Sequence, residues 1–126
     1  MKLSTFLSIV AVVAVLFGIA FVLAPVETLA PYGVVADRNT AIMGRFFGAA
    51  LLTVGLIAWF ARPITDSVGR RAILIGNLIG DVFGFIVALQ GQLNGLTNAL
   101  GWSTVVIYGV FALGFACFLF GARNSA

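Results

Sequence analysis

Residues Arg71 to Leu89 read RAILIGNLIGDVFGFIVAL, an apolar run with one carboxylate, Asp81, near its middle and glycines at Gly76, Gly80 and Gly84. At about 1.5 Å of rise per helical residue, such a run matches the ~30 Å hydrocarbon core of a bilayer. An ionisable group at that depth costs roughly 2.5 to 3.5 kcal/mol on insertion scales. It persists only where a bundle interior, a water pocket or a partner receives it. The stretch therefore sets the class of the protein and names the residue most in need of explanation.

The rest of the chain repeats the pattern. Of 126 residues, 62% are hydrophobic and 9% charged, too little polar surface to cover a water-soluble core. Four apolar runs, Leu3 to Ala24, Ala41 to Ala61, Arg71 to Leu89 and Leu100 to Gly121, are long enough to span, and the connections between them are short. Continuous runs of about 20 residues predict helices, since barrel strands show about ten alternating residues. The expected fold is all-α: a single integral-membrane four-helix bundle over residues 1–126.

Punctuation agrees. Pro25 ends the first run, Asn39 or Thr40 is placed to cap the second, Pro63 follows it, and Ser67 is placed to cap the third. The last loop, Gln90 to Asn98, is polar and uncharged. The first run exceeds the 7 to 15 residues of a signal-peptide core, so a retained helix is expected. Lys2, Arg62, Arg70, Arg71 and Arg123 fall on one side of the four runs, Arg38 and Arg45 on the other. That bias predicts a multi-pass protein with both termini in the cytoplasm. Trp59 and Trp102 sit near run ends, where indoles favour the interface.

Helical phase sorts the faces. On the third run Ile73, Gly76, Asn77, Gly80, Asp81, Gly84 and Ala88 share a sector, with Ile75, Leu78, Ile79, Val82, Phe85, Ile86 and Leu89 opposite. On the second, Ala41, Gly44, Arg45, Gly48, Ala49 and Gly55 lie together, with Met43, Phe47, Leu51, Val54 and Ala58 across from them. On the fourth, Gly101, Thr104, Tyr108, Gly109, Ala112 and Ala116 form a small and polar stripe. Lipid supplies no hydrophobic drive between helices, so Gly44, Gly48, Gly76, Gly80 and Gly84 are expected to be close-packing positions. The first run shows only Ser4, Thr5 and Ser8 and reads as the peripheral helix.

Arg45, Asn77, Asp81 and Tyr108 form the candidate intramembrane polar site. Three arrangements are open for Arg45: a direct salt bridge to Asp81, an outward-snorkelling guanidinium, and a link through water or a partner. Side chains on helices lean toward their own N-terminus, which separates Arg45 and Asp81 in an antiparallel pair and disfavours the first. Asp81 is expected to hydrogen-bond Asn77, Tyr108 or a backbone carbonyl.

Much chemistry has no residues to carry it. The chain has no histidine and one cysteine, Cys117, so imidazole metal sites, serine-type triads and an internal disulfide are excluded. No catalytic residue, metal ligand or cofactor is expected. Glu27, Asp37 and Asp66 lie in connections, where solvation or helix capping is their expected role. The net charge of +3 reads as a topology signal and an attraction to anionic headgroups, without a basic stretch dense enough for nucleic acid.

Ala24-Pro25, the Tyr32-Gly33 loop and the stretch Gly44-Arg45-Phe46-Phe47-Gly48-Ala49-Ala50-Leu51-Leu52-Thr53-Val54-Gly55-Leu56 resemble DoxX-like and related uncharacterised four-span bacterial membrane proteins. The resemblance covers roughly a third of the chain. It implies a four-helix membrane protein, in some cases an accessory subunit of a larger redox or envelope complex. Small multidrug exporters and fluoride channels are of similar size, but the first run lacks a membrane glutamate and the later runs lack a Phe-Thr-Ser signature. The expected function is a non-enzymatic accessory or interaction subunit in the lipid bilayer, contacting a membrane-protein partner or forming a homo-oligomer. The alternative is a small proton-linked transporter or channel using Asp81.

Overall fold

The computed structural model describes residues 1–121; Arg123, counted above among the basic residues, lies outside them. Helices account for all regular structure among the described residues: α1 (Leu3–Leu23), α2 (Pro25–Leu29), a 3-10 turn (Ala30–Tyr32), α3 (Arg38–Ala61), α4 (Ser67–Leu93) and α5 (Gly101–Gly121). All but α2 and the 3-10 turn are long and apolar enough to cross a membrane. The chain divides into two compact units, Met1–Arg62 and Pro63–Ala126.

In the first unit α1 and α3 pack antiparallel along their length. Gly44 meets Pro25, Gly48 meets Gly18 and Phe21, Gly55 meets Val15 and Ala11, and Arg62 reaches Ser8, so one helix descends as the other ascends. The contacts are between backbones. A methyl built on Gly48 would stand 2.8 Å from the Gly18 carbonyl oxygen, and one on Gly55 would stand 2.7 Å from Val15 Cγ2 and 3.1 Å from the Ala11 carbonyl oxygen. Buried positions on α1 include Leu7, Ala11, Ala14, Gly18 and Phe21, in alternating steps of four and three. Gly48, Gly55 and Ala58 continue the same repeat on α3. A repeat averaging 3.5 residues keeps one seam in register with an antiparallel neighbour.

This corrects two expectations. Far from peripheral, α1 holds more buried residues than any other helix; its packing stripe joins Ala11, Ala14 and Gly18 to larger apolar residues, with no polar residue to mark it. Ala58, expected on the face opposite the glycines, is fully buried, because the seam follows a 3.5-residue repeat and drifts about 20° per heptad from the straight-helix sector.

The ends of the unit are closed locally. Pro25 has no N–H and begins α2, and Thr28 donates its hydroxyl to the carbonyls of Ala24 (2.6 Å) and Ala20 (3.1 Å) beneath it. Gly33 takes a left-handed φ of 78° after the 3-10 turn. Phe21 meets Phe47 edge to face at 5.1 Å. At the opposite end Arg62 stacks on the Trp59 ring, 3.3 Å from its centroid, while its Nε donates to the Trp59 carbonyl and Nη1 to Ser8 Oγ.

Acids, not the expected residues, cap the next two helices. Asp37 Oδ1 accepts from the Thr40 N–H (2.7 Å) and hydroxyl (2.8 Å), and Asp66 Oδ2 accepts from the Gly69 N–H (2.7 Å). A cap accepts from the N–H three residues on, so Asn39, Thr40 and Ser67 already lie inside their helices. The capping role expected for Asp37 and Asp66 is the observed one. α4 also runs on to Leu93, into the segment read as loop.

Substitution by alanine at Gly48 or Gly55 should lower the thermal midpoint in detergent, at a cost of about 1 to 3 kcal/mol each from overpacking against backbone. Gly91→Ala, where a methyl meets nothing within 4 Å, should leave the midpoint unchanged or slightly raised. Circular-dichroism melts compare the three.

Capping also predicts a pH response. The Thr40 N–H and hydroxyl hold the Asp37 carboxyl below the usual carboxylate range, so its stabilisation is present at neutral pH and is lost as pH falls through that lowered value. Amide exchange in the first turn of α3 should therefore accelerate on acidification below pH ~4, and Asp37→Asn should remove the step.

Candidate functional site

The second unit is the α4–α5 hairpin. Its turn is tied by Gln92, whose amide donates to the Asn98 carbonyl (3.0 Å) and whose Oε1 accepts from the Thr97 hydroxyl (2.7 Å). Gly95 turns the chain with a φ of 71°, and Asn98 Oδ1 accepts from the Leu100 N–H (3.0 Å). Above the turn, Gly101 lies against Gln92 and Thr97, Gly84 against the Tyr108 ring, and Gly109 against Phe85, whose Cε2 would be 3.3 Å from an added methyl. Each tight contact pairs an aromatic ring or polar side chain with a glycine.

These contacts define the seam. On α5 it passes through Gly101, Val105, Tyr108, Ala112 and Phe115, and on α4 through Leu74, Leu78, Asp81, Phe85, Ala88 and Gln92, again in steps of four and three. Phe85 and Leu78, expected to face away, therefore lie on the packed side. Thr104 and Ala116 give way to Val105 and Phe115, the latter fully buried. The cause is the one found in the first unit: a repeat of 3.5 instead of 3.6 selects a different stripe.

The structure places the glycines differently from one another. Gly44 and Gly48 face α1, Gly84 receives Tyr108, and Gly76 and Gly80 are exposed, with nothing within 4 Å of an added methyl. The α4 ladder is thus split, with one rung in the α4–α5 seam and two on the open side.

Asp81 is half-buried in that seam. Its Oδ2 is buried and has no hydrogen-bond partner. Tyr108, on the facing helix, packs one turn along from it on Gly84, within electrostatic reach of the carboxyl. Asn77, expected to bond Asp81, donates instead to the carbonyl of Ile73 (2.9 Å), one turn back on its own helix. Of the four predicted site residues, the hairpin brings Asp81 and Tyr108 together and turns Asn77 to its own backbone. Arg45 belongs to the first unit, exposed at the edge of the α3 glycine face. Sequence reasoning missed Phe85 and Phe115 as seam residues; their spacing from Asp81 and Tyr108 was the available signal.

Chemically, the arrangement offers one carboxyl with an unsatisfied oxygen beside one phenol, in an apolar surround. Among the described residues no three His, Cys, Asp or Glu side chains gather to hold a metal. No family model, curated protein or solved structure matches the chain.

A buried acceptor without a donor destabilises, by about 1 to 3 kcal/mol in typical proteins. Asp81→Leu should accordingly leave the α4–α5 hairpin at least as stable as the parent, read as the thermal midpoint in detergent. Gly84→Ala should lower that midpoint by pushing the Tyr108 ring aside, whereas Gly80→Ala, one turn earlier on the open face, should not.

Proposed function

We propose that this chain is a non-enzymatic, multi-pass subunit of a membrane complex, inserted in a bacterial inner membrane with both termini in the cytoplasm. The observation that carries the reading is the open face of α4. Gly76 and Gly80 stand one turn apart with space for a backbone to approach, between the exposed apolar residues Ile79 and Phe83. In lipid, where apolar surface alone gives helices no reason to associate, such a face is where a partner helix gains packing contacts and weak hydrogen bonds. The likeness to DoxX-like proteins, some of them accessory subunits, points the same way. Orientation rests on charge: Lys2 and Arg62 lie at one end of the first unit, and Arg70 and Arg71 follow the next connection, at the start of α4.

The test is a native pull-down in mild detergent, with a second arm for homo-oligomers. Gly80→Ile should keep the folded yield and lose the co-purifying subunit or the oligomer, while Ile86→Leu, on an exposed side of α4 away from the glycines, should keep both. Equal retention by the two variants would reject the docking face. Reporter fusions after Ala126 and near Val34 should give opposite compartments.

A second reading is favoured by the unpartnered Asp81 oxygen. In a proton-linked carrier the carboxyl gains and loses a proton as access alternates, and a buried acceptor that weakens the hairpin is retained for that purpose. Asp81→Asn would then abolish proton-driven flux in liposomes while leaving folded yield unchanged. Absence of flux from the parent protein would dismiss this reading.

A further inference from the structure

Arg45 is the charge that neither reading uses. It lies seven residues, about 10 Å, inside α3, and its side chain is exposed. The exposed apolar residues on its side of the helix are Ile42 (44%) and Phe46 (64%), while Met43 and Phe47 lie on the opposite side. No group of the first unit pairs with it. The nearest acid in sequence, Asp37, already accepts two hydrogen bonds from Thr40 at the helix cap. One heptad back, Arg38 begins the helix on the same face and is also exposed.

This layout describes what must neutralise Arg45. Helical side chains lean toward the N-terminus, so the Arg45 guanidinium is carried toward the level of Arg38 while its methylene stem stays among the apolar residues. A guanidinium has five donors arranged to grip a phosphate through two parallel hydrogen bonds. A free anion would satisfy those donors but has no use for Ile42 and Phe46, whereas acyl chains below a headgroup do.

Resting on the membrane reading above, we infer that Arg45, with Arg38, holds the phosphate of a phospholipid headgroup against α3, its acyl chains lying along Ile42 and Phe46. The lipid belongs to the leaflet at the α3 N-terminus, opposite the end where Arg62 stacks on Trp59. It supplies a countercharge that Arg45 finds in no group of the first unit, and its chains cover Ile42 and Phe46.

The test uses the full chain purified in maltoside detergent in phosphate-free buffer, with bound lipid counted by native mass spectrometry. Probes are palmitoyl-oleoyl-phosphatidylglycerol and dioleoylglycerol, which has acyl chains but no phosphate. Arg45→Gln should retain about one phosphatidylglycerol fewer per chain than the parent, consistent with losing a two-bond phosphate grip, and Arg45→Lys should retain an intermediate amount. Arg62→Gln should keep the Arg45-dependent lipid. Helicity and a single elution peak for Arg45→Gln show that the fold survives. Equal phosphatidylglycerol retention by Arg45→Gln and the parent, equal binding of dioleoylglycerol, or displacement of the lipid by excess inorganic phosphate would each overturn the inference. Recovery of the parent chain in the soluble fraction after lysis would overturn both this inference and the membrane reading; recovery in membranes with no effect of Arg45→Gln would overturn this inference alone.

Discussion

The close approach of two backbones is the constraint on which the first unit depends. Gly18 and Gly48 bring α1 and α3 to within van der Waals reach of each other's carbonyl oxygens, and Gly55 does the same against Ala11. Such proximity multiplies dispersion contacts and admits weak Cα–H to oxygen bonds, each small and all of them lost if a side chain intervenes. Large residues such as Leu16, Ile57 and Phe60 are exposed around this seam. In a bilayer they contribute solvation by lipid, while the specificity of helix pairing rests with the smallest residues.

The α4–α5 hairpin uses another form of the same economy of space. Rings are set into glycines, Tyr108 into Gly84 and Phe85 against Gly109, so each helix supplies one ring and one gap. That arrangement fixes the register and leaves Asp81 inside the seam one turn from the phenol. The result is a conflict between stability and composition: a carboxyl occupies a position where an aliphatic residue would pack, and its buried oxygen has no donor. Groups of this kind call for an explanation beyond packing.

Three polar features, each in a different setting, thus divide the work proposed for the chain. The open Gly76 and Gly80 face of α4 suits another helix, Asp81 and Tyr108 form a half-buried pair within one hairpin, and Arg45 stands among exposed apolar residues on α3. The acids in the connections take no part, since Asp37 and Asp66 are committed to helix caps.

The four long apolar helices and the odd placing of Asp81 within one of them were legible in the residues alone. Hydropathy and length are properties of a segment taken by itself, and a carboxylate in an apolar run stands out without reference to any neighbour. Which stripe of each helix is packed was not legible in the same way. On α1 nothing polar distinguishes Ala11, Ala14 and Gly18 from Val12 and Leu16, and on α4 the glycines suggested a single face that the structure divides between Gly84 and the pair Gly76 and Gly80. The sequence by itself determined the long apolar elements and where along them the charges fall, because these follow from local composition. Only the tertiary structure decided the seams, because a 3.5-residue repeat shifts the contact stripe a little with every turn, and a helix's packed side is defined by the residues of the helix it meets.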